Sequence, residues 1–221
     1  FMPKGDRSRE LDQICNSAQM VLANHPANNE RRSRGKTVVN SIWAFGAGNR
    51  IESENDFSRQ WRLNGGLLTK SIALKGVASS FGMDVLVVPD GEDTAHLWAE
   101  TCVNYLEESD VLFVHIDAGD KAAHLMNAEE KVNTIENFDL LVGAIQESLV
   151  SFGDYRMAIL ADHRTSPIDG QHSSAPVPIV LCGSDILADR GKKFDERLLV
   201  RGSIRLVDGS KLMSCLLDGR E

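Results

Sequence analysis

Cysteine is scarce in this sequence, and its scarcity argues against a fold built on disulfides. Four cysteines occur among 221 residues, at Cys15, Cys102, Cys182 and Cys215, far apart and without a CxxC pair. Disulfide-rich secreted proteins carry closely spaced cysteines instead. We therefore predict four reduced thiols that pack as small apolar side chains.

The sequence also lacks long uncharged apolar runs and an excess of basic residues. No stretch approaches the roughly 18 apolar residues of a membrane span, and the opening FMPKGDRSRELD is too charged for a signal peptide. The net charge of −8 argues against nucleic acid or an anionic membrane as the main partner, since both bind basic surfaces. We predict no nucleic-acid partner, no membrane partner and a cytoplasmic location.

Helical stripes alternate with short β-branched runs along the chain, which is typical of an α/β fold with a mostly parallel sheet. Helices are predicted at about 7–23, 69–82, 94–109, 128–152 and 208–217, and strands at 37–45, 84–88, 110–116, 155–161 and 176–183. The polar stretch ANNERRSRGK is predicted to be a linker or loop. Sheet is expected to begin just after it, near residue 36.

Aspartate and histidine residues follow two of the predicted strands. Asp120 and His124 come after the strand at 110–116, and Asp162 and His163 directly follow the strand at 155–161, with His172 one loop further on. Ligands of α/β sheets bind outside the carboxyl ends of the strands. A spacing of four places Asp120 and His124 on one side of a helical turn. Nitrogen and oxygen donors without a thiolate suit Zn²⁺ or Mn²⁺.

Each of these five residues alone is more simply interpreted as an ordinary surface or core residue. We give that interpretation to His25, His96 and His115, which do not share the pattern. The prediction of a metal site rests on five residues of metal-ligating type that coincide at predicted strand ends. Asp162 and His163 also need a turn to reach one ion, because adjacent residues of a strand point to opposite faces. The segment DHRTSPIDG provides one.

Several longer motifs follow one another along nearly the whole chain. They are NHPANNERRSRGKTVVNSIWAFGAG, SIALKGVASSFGMDVLVVPDGEDT, VHIDAGDKAAHLMNAEEKVNTIENFDLLVGAI, ADHRT and HSSAPVPIVL. This series resembles the cofactor-independent phosphoglycerate mutases of the archaeal type, members of the alkaline phosphatase superfamily. The resemblance implies an alkaline-phosphatase-like three-layer α/β/α core with a mostly parallel sheet. It also implies phosphotransfer in which a serine takes the phosphoryl group of 3-phosphoglycerate and returns it to the 2-hydroxyl.

The resemblance implies a ligand set for two divalent ions, Mn²⁺ or Zn²⁺. Asp120, His124 and His172 match the ligands of one ion, and Asp162 and His163 match ligands of the other. Two such cations lower the pKa of a serine hydroxyl and absorb the charge that develops as a phosphoryl group is transferred.

The resemblance also implies cationic contacts with a phosphorylated small molecule. Arg31 matches a phosphate or carboxylate clamp, and Lys75 matches a cationic group near the transferred phosphoryl group. Arg164 departs from the family, which has glycine after the DH pair. It is either a substrate contact or a surface replacement.

The family's nucleophilic serine and one aspartate ligand lie in an amino-terminal segment that nothing in this chain matches. We therefore predict the carboxy-terminal half of a longer protein, inactive alone and without a catalytic nucleophile. Residues 1–35 are predicted to be the exit helix and linker of a cap domain, and residues 36–221 part of the phosphatase-like domain. A free sheet edge is expected beside VLFVHI or RMAILA, where the missing half or a second copy binds.

The predicted function of the parent protein is therefore a metal-dependent phosphoglycerate mutase, an isomerase of glycolysis. Two alternatives stay open. One is a metal-dependent phosphatase or phosphonate hydrolase, in which water resolves the phosphoserine. The other is a non-catalytic binding or assembly module, which the loss of the serine segment favours and the retention of all five ligand residues opposes.

Overall fold

The computed structural model describes residues 4–45, 56–89, 94–188, 193–206 and 208–218. The chain divides into two compact units, Phe1–Ile51 and Glu52–Glu221. The predicted division after residue 35 assigns residues to the domains of a longer protein, and it stays a prediction. Across the described ranges, no helix is both long enough and apolar enough to cross a membrane.

The first unit contains helices α1 (Ser8–Ala23) and α2 (Pro26–Ser33). Helix α1 was predicted, but the loop predicted at ANNERRSRGK is wrong, because most of that stretch is α2. The start of α2 has two local causes. The ring of His25 accepts a hydrogen bond from the backbone N–H of Ala27 at 3.2 Å, and Pro26 takes the first helical position.

The strand predicted at 37–45 is also wrong, because that segment forms no strand in the structure. Its backbone bonds to a side chain instead. Asn28 is buried, donates to the carbonyls of Leu22 and Val39 at 2.7 and 2.6 Å, and accepts from the N–H of Val39 at 2.9 Å. The side-chain amide of Asn28 thus forms hydrogen bonds with backbone groups that would otherwise pair with a neighbouring strand.

The second unit alternates helices and strands in its first half, around a parallel sheet, and this confirms the predicted α/β class. Its first half contains α3 (Phe57–Trp61), β1 (Gly65–Thr69), α4 (Ile72–Ser80), β2 (Asp84–Leu86), α5 (Thr94–Leu106), β3 (Val111–His115), α6 (Ala118–His124) and α7 (Ala128–Leu149). Its second half contains β4 (Arg156–Leu160), β5 (Arg164–Thr165), β6 (His172–Ser173), β7 (Ile179–Gly183), α8 (Leu198–Arg201) and α9 (Leu212–Asp218).

The central sheet is parallel, with strand order β2-β1-β3. Its middle strand, β1, is buried along its length but was not predicted, because GGLLT begins with two glycines, which weaken a strand signal. The glycines are needed there. A Cβ at Gly65 would lie 2.5 Å from a ring carbon of Phe57, and one at Gly66 would lie 2.6 Å from the ring of Tyr105.

The remaining strands form two antiparallel pairs, β4 with β7 and β5 with β6. Strand β3 therefore ends the parallel sheet, and among the described residues β4 pairs on one side only. A cleft of about 2210 Å³ is lined by side chains of β3, β4, α7 and α9, among them Val114, Ile159, Ile135 and Leu216. This arrangement agrees with the free sheet edge predicted beside VLFVHI or RMAILA.

The core of the second unit packs α5 and α7 against the parallel sheet. Leu68, Trp98, Cys102 and Leu141 form its buried centre. All four cysteines of the chain are unpaired. Burial raises the pKa of the Cys102 thiol to about 12.

Cys102 is expected to resist thiol reagents in the folded protein. The thiolate is the reactive form, and a pKa raised from 9.0 to about 12 lowers its fraction at neutral pH about a thousandfold. Labelling with Ellman's reagent, followed by peptide mass mapping, measures this rate against the urea-unfolded chain. Equal labelling of Cys102 in both states would contradict the packing described above.

Candidate metal centre

Helix α6 carries the first two polar residues of the candidate site directly behind β3. Ala122 and Ala123 are buried on its inner side, while Asp120 and His124 stay partly exposed. Their spacing of four brings His124 Nε2 to 3.4 Å from Asp120 Oδ2. The sequence spacing predicted this approach.

A short hairpin returns the chain to the same place. Strands β5 and β6 pair so that Thr165 lies opposite His172. The loop between them closes through hydrogen bonds from Ser166 N–H to the Gln171 carbonyl and from Gly170 N–H to the Ser166 carbonyl, at 3.0 and 2.8 Å. The hairpin thereby places His172 beside α6.

Gly170 fits this hairpin against α6. Its φ of +67° lies in the region that favours glycine, and a Cβ there would lie 3.2 Å from the carbonyl oxygen of His124. In return, His124 Nδ1 lies 2.8 Å from the Gly170 carbonyl oxygen. A carbonyl oxygen only accepts, so Nδ1 carries a proton, and in the neutral ring Nε2 of His124 therefore keeps its lone pair.

Asp120, His124 and His172 form the one group of three metal-type donors found within the described ranges. His172 Nε2 lies 3.3 Å from Asp120 Oδ1 and 2.9 Å from His124 Nε2. Ligands held at about 2.0–2.1 Å around a tetrahedral ion are about 3.3 Å apart. The donor set therefore fits one divalent cation.

Asp120 is poised to stay ionised in this group. Partial burial by itself raises the pKa of its carboxyl group. The hydrogen bond from Thr165 and the nearby imidazoles of His124, His163 and His172 outweigh this effect and hold the pKa below its usual value. An ionised carboxylate is the form that ligates a metal.

Asp162 and His163 lie at the turn after β4. The ring of His163 stacks on that of His172, with centroids 4.0 Å apart, and its Nδ1 lies 3.2 Å from the Thr165 hydroxyl. Asp162 is largely exposed, accepts from the His163 N–H at 2.8 Å and approaches His163 Nε2 to 3.5 Å. His163 thus adjoins the three-donor group, and the pair's role as ligands of a second ion stays a prediction.

The predicted substrate contacts also stay predictions. Arg31 lies on α2 and donates through Nε to the Thr37 carbonyl at 2.7 Å. Lys75 is half-buried on α4. Arg164 donates to the Pro176 carbonyl at 2.8 Å and lies 3.4 Å from Glu196, so its guanidinium holds neighbouring segments of this chain together.

Other residues have structural contacts. His25 caps α2, and His115 Nδ1 lies 2.9 Å from the Thr69 hydroxyl. Sequence reasoning missed Thr165 and Lys131, which contact the site from β5 and α7. Thr165 belongs to the motif ADHRT, but a lone hydroxyl residue gives no spacing signal that would single it out.

Comparison with known proteins gives a family match over nearly the whole chain. The family described as the metalloenzyme superfamily matches residues 8–219. A probable 2,3-bisphosphoglycerate-independent phosphoglycerate mutase from Geobacter sulfurreducens is 33% identical over 98% of this chain and 56% of its own length. The enzyme of that name from Thermococcus gammatolerans is 32% identical over 94% of this chain and 51% of its length. The chain spans about half the length of the curated relatives it matches.

Two solved structures are similar to the chain. A protein from Pyrococcus horikoshii is 29% identical with a TM-score of 0.80, covering 96% of this chain and 56% of that one. The cofactor-independent phosphoglycerate mutase of Thermoplasma acidophilum is 25% identical with a TM-score of 0.58, covering 98% of this chain and 53% of that one.

Proposed function

Because the chain belongs to the metalloenzyme superfamily, we propose that it is the metal-binding carboxy-terminal part of a cofactor-independent phosphoglycerate mutase. The observation that carries the proposal is the group of Asp120, His124 and His172, whose donor atoms fit one divalent cation. The reaction comes from the names of the relatives. A mutase of glycolysis acts in the cytoplasm, and we propose that location for the parent protein.

In this proposal, the chain supplies ligands for two divalent ions. Asp120, His124 and His172 hold one Mn²⁺ or Zn²⁺ ion, and Asp162 and His163 contribute to a second. When bound, such ions neutralise phosphoryl oxygens and lower the pKa of an attacking hydroxyl. We propose that the nucleophilic serine lies in the portion of the parent protein that this chain does not match.

Electrostatics supports the need for cations at this site. The chain carries a net charge of −8, and the carboxylates of Asp120 and Asp162 lie near the site's imidazoles. A phosphoglycerate is also anionic and would be repelled by these carboxylates. Bound divalent ions reverse the local charge, and we propose that Lys75 adds to this attraction. We propose Arg31, on the first unit, separately as a contact for a phosphate or a carboxylate.

The unpaired edges of two strands support a proposal about the portion of the parent protein that this chain does not match. Strands β3 and β4 each have a free edge among the described residues, and an apolar cleft lies beside both. Unpaired edges of this kind recruit another strand. We propose that the portion of the parent protein not matched by this chain fills the cleft, and that the isolated chain associates with itself there.

A metal-dependent phosphatase is the second candidate, because ions held by the same ligands can activate a water molecule as well as the hydroxyl group of a glycerate.

The full-length parent protein with Mn²⁺ is expected to convert 3-phosphoglycerate into 2-phosphoglycerate without releasing phosphate. Phosphorus NMR follows all three species in one sample. A chelator should stop the reaction, and the isolated chain should show no turnover.

Two other outcomes of this experiment would support the alternative functions. Phosphate that accumulates without 2-phosphoglycerate would make the protein a hydrolase. Metal binding without turnover of either kind would make it a non-catalytic module.

A further inference from the structure

We propose that Thr165 is a positioning residue for the metal centre. Its hydroxyl orients the Asp120 carboxylate and determines which ring nitrogen of His163 carries the proton. The inference rests on the metal centre of the proposed function. It assigns a role to a residue outside the ligand set.

The contact with Asp120 is short, and Thr165 itself is buried. Thr165 is 5% exposed, and its hydroxyl donates to Asp120 Oδ1 at 2.6 Å. A carboxylate only accepts, so the single hydroxyl hydrogen is committed to this bond. The bond joins β5 to α6 across 45 residues of sequence and restricts rotation of the carboxylate.

The same hydroxyl oxygen faces a second site residue. It lies 3.2 Å from His163 Nδ1, and since its hydrogen is already given to Asp120, it accepts here. Nδ1 of His163 therefore carries a proton, and in the neutral ring Nε2 keeps the lone pair that a metal needs. The Gly170 carbonyl sets the same tautomer for His124.

Thr165 is itself held in place from two sides. Lys131 on α7 donates from Nζ to its carbonyl oxygen at 2.5 Å, and its strand partner is His172. Thr165 thus touches Asp120 and His163 through its hydroxyl and aligns His172 through its backbone. Three of the five predicted ligands depend on this one position.

The test compares T165V, which removes the hydroxyl at nearly constant shape, with T165S, which retains it. Loss of an outer hydrogen bond to a metal ligand typically lowers metal affinity 10–100-fold, and we expect about that loss in T165V. T165S is expected to lose less than about tenfold, since the bond to Asp120 persists. Competition with a chromophoric chelator measures Zn²⁺ affinity, and the visible spectrum of the Co²⁺-loaded chain reports ligand geometry.

Two results would overturn the proposal. A folded T165V that binds Zn²⁺ as tightly as the wild type, with an unchanged Co²⁺ spectrum, would show that the hydroxyl orients nothing. A loss of affinity in T165S with none in T165V would show that packing of the methyl group, which valine keeps and serine lacks, matters and that the hydroxyl does not. Circular dichroism and thermal unfolding establish that each variant is folded.

A second measurement needs neither variant nor metal. Nitrogen-15 NMR of the histidine rings in the metal-free wild-type chain is expected to show His163 protonated at Nδ1 and unprotonated at Nε2, at a pH where the ring is neutral. The opposite tautomer would refute the role of Thr165. If the wild type binds neither Zn²⁺ nor Co²⁺, the proposed metal centre fails, while the His163 tautomer still decides whether Thr165 sets it.

Discussion

Replacement of His124 by alanine is expected to weaken Zn²⁺ binding by at least about 100-fold, the upper end of what loss of a mere outer contact costs. The variant removes one of three donors that lie within 4.8 Å of one another, and two donors do not hold the ion in place. The fold should survive, because 45% of this side chain is exposed to solvent. In the full-length parent protein, H124A should abolish turnover of phosphoglycerates.

His25 offers a matched control for this experiment. It lies on the other unit and caps α2 through Nδ1, and asparagine caps a helix equally well. H25N therefore removes one imidazole while keeping the local structure, and its Zn²⁺ affinity should equal that of the wild type. Calorimetric titration of the three proteins compares them. Unchanged affinity in H124A, or equal losses in H124A and H25N, would refute the proposed ligand.

The sequence predicted the local part of this site and not its assembly. The spacing of Asp120 and His124 is a helical signal, and the structure places both on one side of α6. His172 joins them only because β5 and β6 form a hairpin of two residues per strand. Strands that short carry no periodic pattern, so its return to Asp120 could be inferred from the family resemblance but not from periodicity.

The errors in the fold share a physical cause, since a tertiary or side-chain contact decided each one. Strand β1 was not predicted, because Gly65 and Gly66 are required by the aromatic rings packed against them. A propensity scale does not include such tertiary contacts. The stretch at 37–45 has a β-branched sequence, yet the side chain of Asn28 bonds to its backbone. The long helix α7 was predicted well because its apolar stripe repeats over 22 residues.

The apolar stripe of α7 also lines the cleft. Ile135 is 56% exposed and lines the cleft beside β3 and β4. An apolar helix face and two free strand edges in one place are features that a folded protein ordinarily covers. In the proposal above, another portion of the parent protein covers them, and in the isolated chain a second copy does so.

Replacement of Ile135 by lysine is therefore expected to weaken self-association of the isolated chain by at least about 100-fold. Burying an unpaired ammonium group in an interface costs several kcal/mol, and about 2.7 kcal/mol already corresponds to a factor of about 100 in the association constant. Sedimentation velocity over a range of protein concentrations measures this constant. The monomer itself should stay folded, because Ile135 is already more than half exposed.

Val150 supplies the control for the added charge. It is 71% exposed at the end of the same helix and does not line the cleft. V150K adds the same lysine outside the cleft and should associate like the wild type, which separates a local effect from a change in net charge. In the full-length parent protein, I135K should lower the unfolding temperature while V150K leaves it unchanged. A wild-type chain that stays monomeric at every concentration and binds no hydrophobic dye would show that the cleft is closed within this chain, and the proposal of a strand supplied from elsewhere would fail.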